Sequence, residues 1–192
     1  MINFAHWKRN LETMDKIISV KDKKFRVSID AELLQKNVKR VAGEINRDYN
    51  GRQVMFVGIL NGAFMFAADL LKSVTVDCQV SFVKLSSYSG TSSTGEVKEL
   101  IGLNSDIAGQ DVVVVEDIIE TGLTIATVLR MLKDMGAKSV RVASLIFKPD
   151  SFMGGYDVDY VGFRLPKSFI VGYGLDYDGF GRNLPEIYTI VE

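Results

Sequence analysis

Glu116 and Asp117 stand side by side after four consecutive valines, and Thr121, Gly122 and Thr124 follow shortly behind them. The whole stretch, 112–124, reads VVVVEDIIETGLT. The valines make a poor helix and a good strand buried on both faces. The strand is expected to end at Glu116 and Asp117. The small residues that follow expose backbone N–H groups just before ATVLRMLKDMG, which has the character of a helix. A helix N-terminus fed by such a loop attracts phosphate, because its free N–H groups and its dipole both face the anion. One loop thus sets an anion cradle beside two anions of its own. That combination suits a ligand carrying a phosphate together with hydroxyls or a metal. The plainer alternative is a buried strand followed by a loop with a solvated acidic pair.

The elements that must position these groups can be read from periodicity. Asp30 is a fitting N-cap for a helix over 30–49, in which Leu34, Val38, Val41 and Ile45 recur at helical spacing. Strands are expected over 54–59, 79–86 and 140–147, with helices over 63–72 and 124–135 and Gly136 as a C-terminal stop. Alternating strands and helices predict an α/β fold with a mostly parallel twisted sheet flanked by helices on both faces. The tail differs, with short aromatic strands near 158–163, 169–173 and 187–191 separated by glycines. Together with the N-terminal segment it reads as a small β-rich hood over the carboxyl ends of the core strands, the edge where open α/β sheets bind ligands. A single domain over 1–192 is expected, with its core at about 30–150 and the hood from the N-terminal segment and about 151–192.

Other segments could add chemistry. Leu60, Asn61 and Gly62 lie between a strand and a helix, either as an ordinary turn or as a second anion cradle. Residues 86–98, SSYSGTSSTGEVK, form the longest irregular segment, and a mobile loop in a compact enzyme often acts as a lid. Lys148 closes a strand and by default would be solvated. Phe169 and Ile170 read by periodicity as core.

Composition narrows the field. The 192 residues are 47% hydrophobic and 24% charged, with a net charge of −1, which offers no basic patch for nucleic acid and no polybasic membrane signal. No apolar run approaches the roughly 20 residues of a membrane helix, and the N-terminus lacks a signal-peptide core. The single cysteine, Cys78, and single histidine, His6, exclude an internal disulfide and a multidentate Cys/His zinc site. A reducing cytoplasm is the expected compartment.

The 112–124 stretch closely resembles the phosphoribosyl-diphosphate motif of the type I phosphoribosyltransferases, in the version found in hypoxanthine (hypoxanthine-guanine) phosphoribosyltransferases. The resemblance spans about 54–188. It implies transfer of 5-phosphoribosyl from 5-phosphoribosyl 1-diphosphate to hypoxanthine and guanine, giving IMP or GMP and diphosphate. It implies that Glu120, Thr121, Gly122, Leu123 and Thr124 bind the 5-phosphate and that Glu116 and Asp117 hold the ribose. Leu60, Asn61, Gly62 and Arg182 would meet the diphosphate; the family's counterpart of that first loop often contains a non-proline cis peptide. Ser87 and Tyr88 match the lid. Lys148 would select a 6-oxopurine, since a lysine only donates. Phe169 would stack on the purine, with the Ile170 backbone at its edge. Asp176, with Glu116 and Asp117, would hold Mg2+. Glu120 occupies the position of the family's general acid/base aspartate. Asn61 and Ser168 stand where lysines are common. The family is commonly dimeric or tetrameric and acts on small molecules.

Overall fold

The computed structural model describes residues 16–87, 97–101, 103 and 106–191. Its larger sheet is built from β3 (Val54–Leu60), β4 (Cys78–Ser87), β5 (Val97–Ile101), β6 (Asp111–Ile119), β7 (Ser139–Phe147) and β8 (Tyr160–Arg164), in the order β5-β4-β3-β6-β7-β8. Five of these strands are parallel, and only β5 runs antiparallel, against β4. The central strands β3 and β6 are buried along most of their length, as continuous apolar runs between two helical layers require.

Helix α1 (Ala31–Asp48) begins where Asp30 accepts a hydrogen bond from the Leu33 N–H at 2.8 Å. It packs with α2 (Phe64–Leu71) on one face of the sheet, where Leu34, Val41, Phe66 and Leu70 join Phe56 and Val113. Helix α3 (Leu123–Asp134) covers the other face through Ile125, Val128 and Leu132, against Val57 and Val114. Gly136 follows α3 at φ 83°, the left-handed geometry of a helix stop.

A second sheet, of order β1-β2-β10-β9, comprises β1 (Ile17–Val20), β2 (Lys23–Ile29), β9 (Ile170–Val171) and β10 (Ile187–Ile190), all antiparallel. Strand β2 alternates buried and open residues, so one face carries its core, with Phe25 and Val27 against Val171 and Tyr188. This sheet is the hood. Of the tail strands, Tyr160–Arg164 is not in it: parallel pairing with β7 places that strand at the edge of the larger sheet.

One boundary differs in a way that matters. The strand does not end at Glu116 and Asp117 but continues to Ile119, because β7 keeps pairing with it as far as Ile119↔Phe147. Its other neighbour leaves earlier: the β3–β6 ladder extends only to Gly58↔Val115. The connections from β3 and β6 lead to opposite sides of the sheet, so these two strands flank the topological switch point. Their diverging carboxyl ends open a cleft of about 300 Å³ lined by Leu60, Glu116, Ile118, Glu120, Gly122 and Thr124, among others.

Candidate active site

The acid pair lies where the cleft begins. Glu116 and Asp117 are successive residues of β6, and their carboxyls interact. Glu116 lines the cleft, where burial and then the neighbouring Asp117 charge push its carboxyl well above the usual carboxylate range. Asp117 is buried, its Oδ1 accepting a 2.9 Å hydrogen bond from the Ile118 N–H. Its carboxylate fills the space over Gly62, where a Cβ would collide with Asp117 Oδ2. The 60–62 loop and the acid pair are therefore one packed unit, and the Leu60-Asn61 peptide within it is cis.

The loop before α3 leaves its backbone donors open. Helix α3 begins after Gly122, which sits at φ 80° and ψ 0° with no side-chain cap and no acidic residue in the first turn of the helix. Its free N–H groups and dipole remain available to an anion. Thr121, Leu123 and Thr124 are exposed beside them.

Lys148 is not solvated. It is 4% exposed, and its Nζ donates to Glu120 Oε2 at 3.2 Å and to the Ser168 carbonyl at 2.7 Å. The Glu120 side chain stays 40% exposed. The pair joins the end of β6, the end of β7 and the segment leading into β9. Beyond Ser168, the Phe169 ring is 42% exposed and meets Phe25 and Tyr177 at centroid distances of 6.0 and 5.6 Å. Ile170 is core, so only its backbone is free to meet a ligand.

Arg182 and Asp176 are joined to each other. Arg182 Nη2 lies 2.6 Å from Asp176 Oδ1, Nη1 donates to the Gly174 carbonyl at 2.7 Å, and Asp176 Oδ2 accepts from the Gly179 N–H at 2.6 Å. This hood loop is fixed to the core by Tyr173, whose hydroxyl donates to Asp69 Oδ2 on α2 at 2.6 Å. Among the described residues no three His, Cys, Asp or Glu side chains converge as a cation site, so Glu116, Asp117 and Asp176 do not form a closed cage. Of the lid pair, Ser87 ends β4, while Tyr88 lies outside the described residues.

The site has a rear wall that the sequence reading passed over. The segment after β7 carries Phe152 and Tyr156, which stack edge-to-face with centroids 5.1 Å apart; Phe147 meets Phe152 in the same way at 5.1 Å. The Met153 N–H donates to the Thr121 carbonyl at 3.0 Å, and the Tyr156 hydroxyl to the Gly122 carbonyl at 3.0 Å. Aromatics four apart around a Gly-Gly pair were the available signal in FMGGY.

The chain has known relatives. A phosphoribosyl transferase domain model matches residues 29–178. The bifunctional protein TilS/HprT of Listeria monocytogenes is 42% identical over 163 residues, 84% of this chain and 25% of that protein. The chain thus spans about a quarter of the length of that relative. The hypoxanthine-guanine phosphoribosyltransferase of Staphylococcus aureus is 38% identical over 165 residues, 85% of this chain and 92% of that one. A solved structure of the Trypanosoma cruzi hypoxanthine phosphoribosyltransferase, in complex with the product IMP, superposes with a TM-score of 0.82 at 30% identity, covering 91% of this chain and 97% of that one.

Proposed function

We propose, from the premise that this chain belongs to the hypoxanthine-guanine phosphoribosyltransferase family, that it transfers 5-phosphoribosyl from 5-phosphoribosyl 1-diphosphate to hypoxanthine and guanine, releasing diphosphate. The observation that carries the reading is the buried Lys148 ammonium, held 3.2 Å from Glu120 beside an uncapped helix N-terminus and an adjacent acid pair. A fixed donor, an acid/base group, an anion cradle and hydroxyl acceptors are what a 6-oxopurine and a phosphorylated ribose need together.

Each residue takes a role suited to its surroundings. The N–H groups and hydroxyls of Thr121, Gly122, Leu123 and Thr124 bind the 5-phosphate, with the Glu120 backbone opening that loop. Glu116 and Asp117 accept from the ribose hydroxyls; Asp117, and Glu116 once the ligand's charge offsets the burial and like charge that disfavour its ionised form, favour the positive charge that develops on the sugar as diphosphate leaves. Lys148 donates to the exocyclic oxygen of the base; an amino purine would set donor against donor. Phe169 supplies a ring face for the purine, and the Ile170 backbone meets its edge. The loop of Leu60, Asn61 and Gly62 and the forked donors of Arg182 take the diphosphate. Arg182 must then exchange part of its pairing with Asp176 for the ligand.

Glu120 handles the proton on the imidazole side of the purine. In the free protein its carboxylate rests on Lys148. Arrival of the oxopurine gives Lys148 a new acceptor and frees Glu120 for the ring nitrogen, which requires an approach of about 2.6–3.2 Å.

The residues fit Mg2+. The donors are carboxylate oxygens only, which suits a hard cation, and the inset Glu116 carboxyl has an adjacent anion rather than a cation. Glu116, Asp117 and Asp176 would hold the ion, which when bound neutralises diphosphate charge. Ser87 and Tyr88 belong to the lid, and the molecule is a single-domain homodimer or homotetramer working in the cytoplasm; among the described residues no helix is long and apolar enough to cross a membrane.

The test is nucleotide formation from phosphoribosyl diphosphate with and without magnesium, offering hypoxanthine, guanine, xanthine and adenine in competition. Product from the first two and none from adenine is expected. No product with any purine would overturn the reading.

A further inference from the structure

We propose that Tyr156 is a positioning residue for the 5-phosphate, acting through the peptide planes of the loop at the start of α3. The inference rests on the phosphoribosyl-transfer reading and assigns to that site a residue outside its binding motifs.

The argument starts from the planarity of the peptide. In a trans peptide the carbonyl and the following N–H point in opposite directions. Fixing a carbonyl from one side therefore aims the next N–H toward the other. The segment after β7 does this at three planes of the loop. The Lys148 N–H holds the Ile119 carbonyl at 2.9 Å, the Met153 N–H holds the Thr121 carbonyl at 3.0 Å, and the Tyr156 hydroxyl holds the Gly122 carbonyl at 3.0 Å. The N–H groups of Glu120, Gly122 and Leu123 are correspondingly directed away from that segment, toward the cleft.

Tyr156 is the one side chain among these three donors. The Gly122 carbonyl also accepts the first intrahelical bond, from the Ala126 N–H at 3.0 Å. Both of its lone pairs are then engaged, which fixes the Gly122–Leu123 plane at the very start of the helix. Aromatic rings pack closely against Gly122 itself. A Cβ on Gly122 would lie 2.5 Å from the Phe152 ring and 2.9 Å from the Tyr156 oxygen. The two rings stack edge-to-face behind it. Burial and then the nearby Glu116 charge push the Tyr156 hydroxyl up to about 12, so it remains a donor through the neutral range.

Preorganised N–H groups bind an anion better than groups that must be ordered on arrival. Losing the hydroxyl should therefore weaken whatever depends on the 5-phosphate and spare what does not. The experiment compares IMP with inosine, which lacks the phosphate, by calorimetry on wild-type protein and on Tyr156→Phe. The phenyl ring keeps the stack. A neutral hydrogen bond contributes about 0.5–1.5 kcal/mol net, so IMP binding and the KM for phosphoribosyl diphosphate should worsen about 3–10-fold, while inosine binding and kcat at saturation stay within twofold. A hydroxyl that served only general stability would weaken inosine and IMP alike, and that result overturns the proposal. Full retention of IMP affinity in Tyr156→Phe overturns it too, and leaves the phosphoribosyl-transfer reading standing. A wild-type protein that binds inosine as tightly as IMP overturns that reading, and the Tyr156 assignment with it.

Discussion

The two ends of the parallel sheet both carry buried acids, and they treat them in opposite ways. At the amino end Asp111 is 5% exposed and accepts from the Ser139 hydroxyl at 2.6 Å, with Lys138 at 3.2 Å and Arg52 at 3.3 Å. The Ser139 hydroxyl, followed by Lys138 once burial is offset, holds its carboxyl below the usual range. Nearby, Arg141 joins Asp48 at 2.5 Å and the Tyr160 hydroxyl at 2.6 Å, and that hydroxyl donates to Asp48 at 3.0 Å. Burial alone would raise the Asp48 carboxyl, but the Tyr160 and Arg141 hydrogen bonds outweigh it and lower it. At the carboxyl end Glu116 is inset beside a second carboxylate and is pushed the other way. A complete set of partners stabilises the fold. An acid placed beside another acid is costly in the free protein and is ready for a ligand's hydroxyls or cation. Charge alone does not mark the site; the sign of the imbalance does.

Changes at the two ends should therefore separate activity from stability. The largest effect belongs to Glu120→Gln: kcat should fall about 10²–10⁴-fold in steady-state assays, while the melting temperature falls only modestly, because the Gln oxygen can still accept from Lys148 although its countercharge is lost. An unchanged rate would move the proton-transfer role to Asp117. Next comes Asp111→Ala at the opposite end. It leaves the Ser139 hydroxyl and two cations without their shared acceptor and should cost about 1–3 kcal/mol, toward the low side because Arg52 and Lys138 can return to water. Calorimetry should register a drop of about 3–10 °C, with kinetic constants unchanged; a collapse of kcat would erase the contrast between the ends.

The same network predicts an acid limit. The folded-state values of Asp111 and Asp48 are depressed, so their contribution is present above the unfolded-state value of about 3.9 and is lost as pH falls through the folded values. The melting-temperature gap between wild type and Asp111→Asn should be full at pH 6 and shrink below about pH 4; a gap independent of pH would contradict this. The smallest effect is also the most diagnostic. Glu116→Gln removes an acid whose ionised form is disfavoured beside Asp117, so the free protein should melt about 1–3 °C higher at neutral pH while kcat/KM falls. A lower melting temperature would mean that Glu116 has a partner of the kind found at the amino end.

Much of this was legible in the chain. The four valines, the 3.6-residue recurrence in α1 and the glycine stop after α3 are local signals, and local sterics and periodicity suffice to read them. The order of strands, helices and tail strands predicted the parallel sheet and its hood. What failed was the end of β6, since pairing with β7 carries the strand through its own acids. The location of Tyr160–Arg164 in the larger sheet also came from pairing, because a short aromatic strand fits either sheet equally well by sequence.

For the site, sequence determined the residue types and their order: the acid pair, the loop before α3, and the strand-terminal lysine. Only the tertiary structure decided what each one faces. Lys148 read by default as a solvated strand end, yet it is buried between Glu120 and the Ser168 carbonyl, on segments 28 and 20 residues away. Tyr156 carries no local sign that it holds a carbonyl 34 residues earlier. Covalent spacing and side-chain type set which chemistry is available. Hydrogen bonds between distant segments, formed only once the sheet has closed the distance, set where that chemistry points.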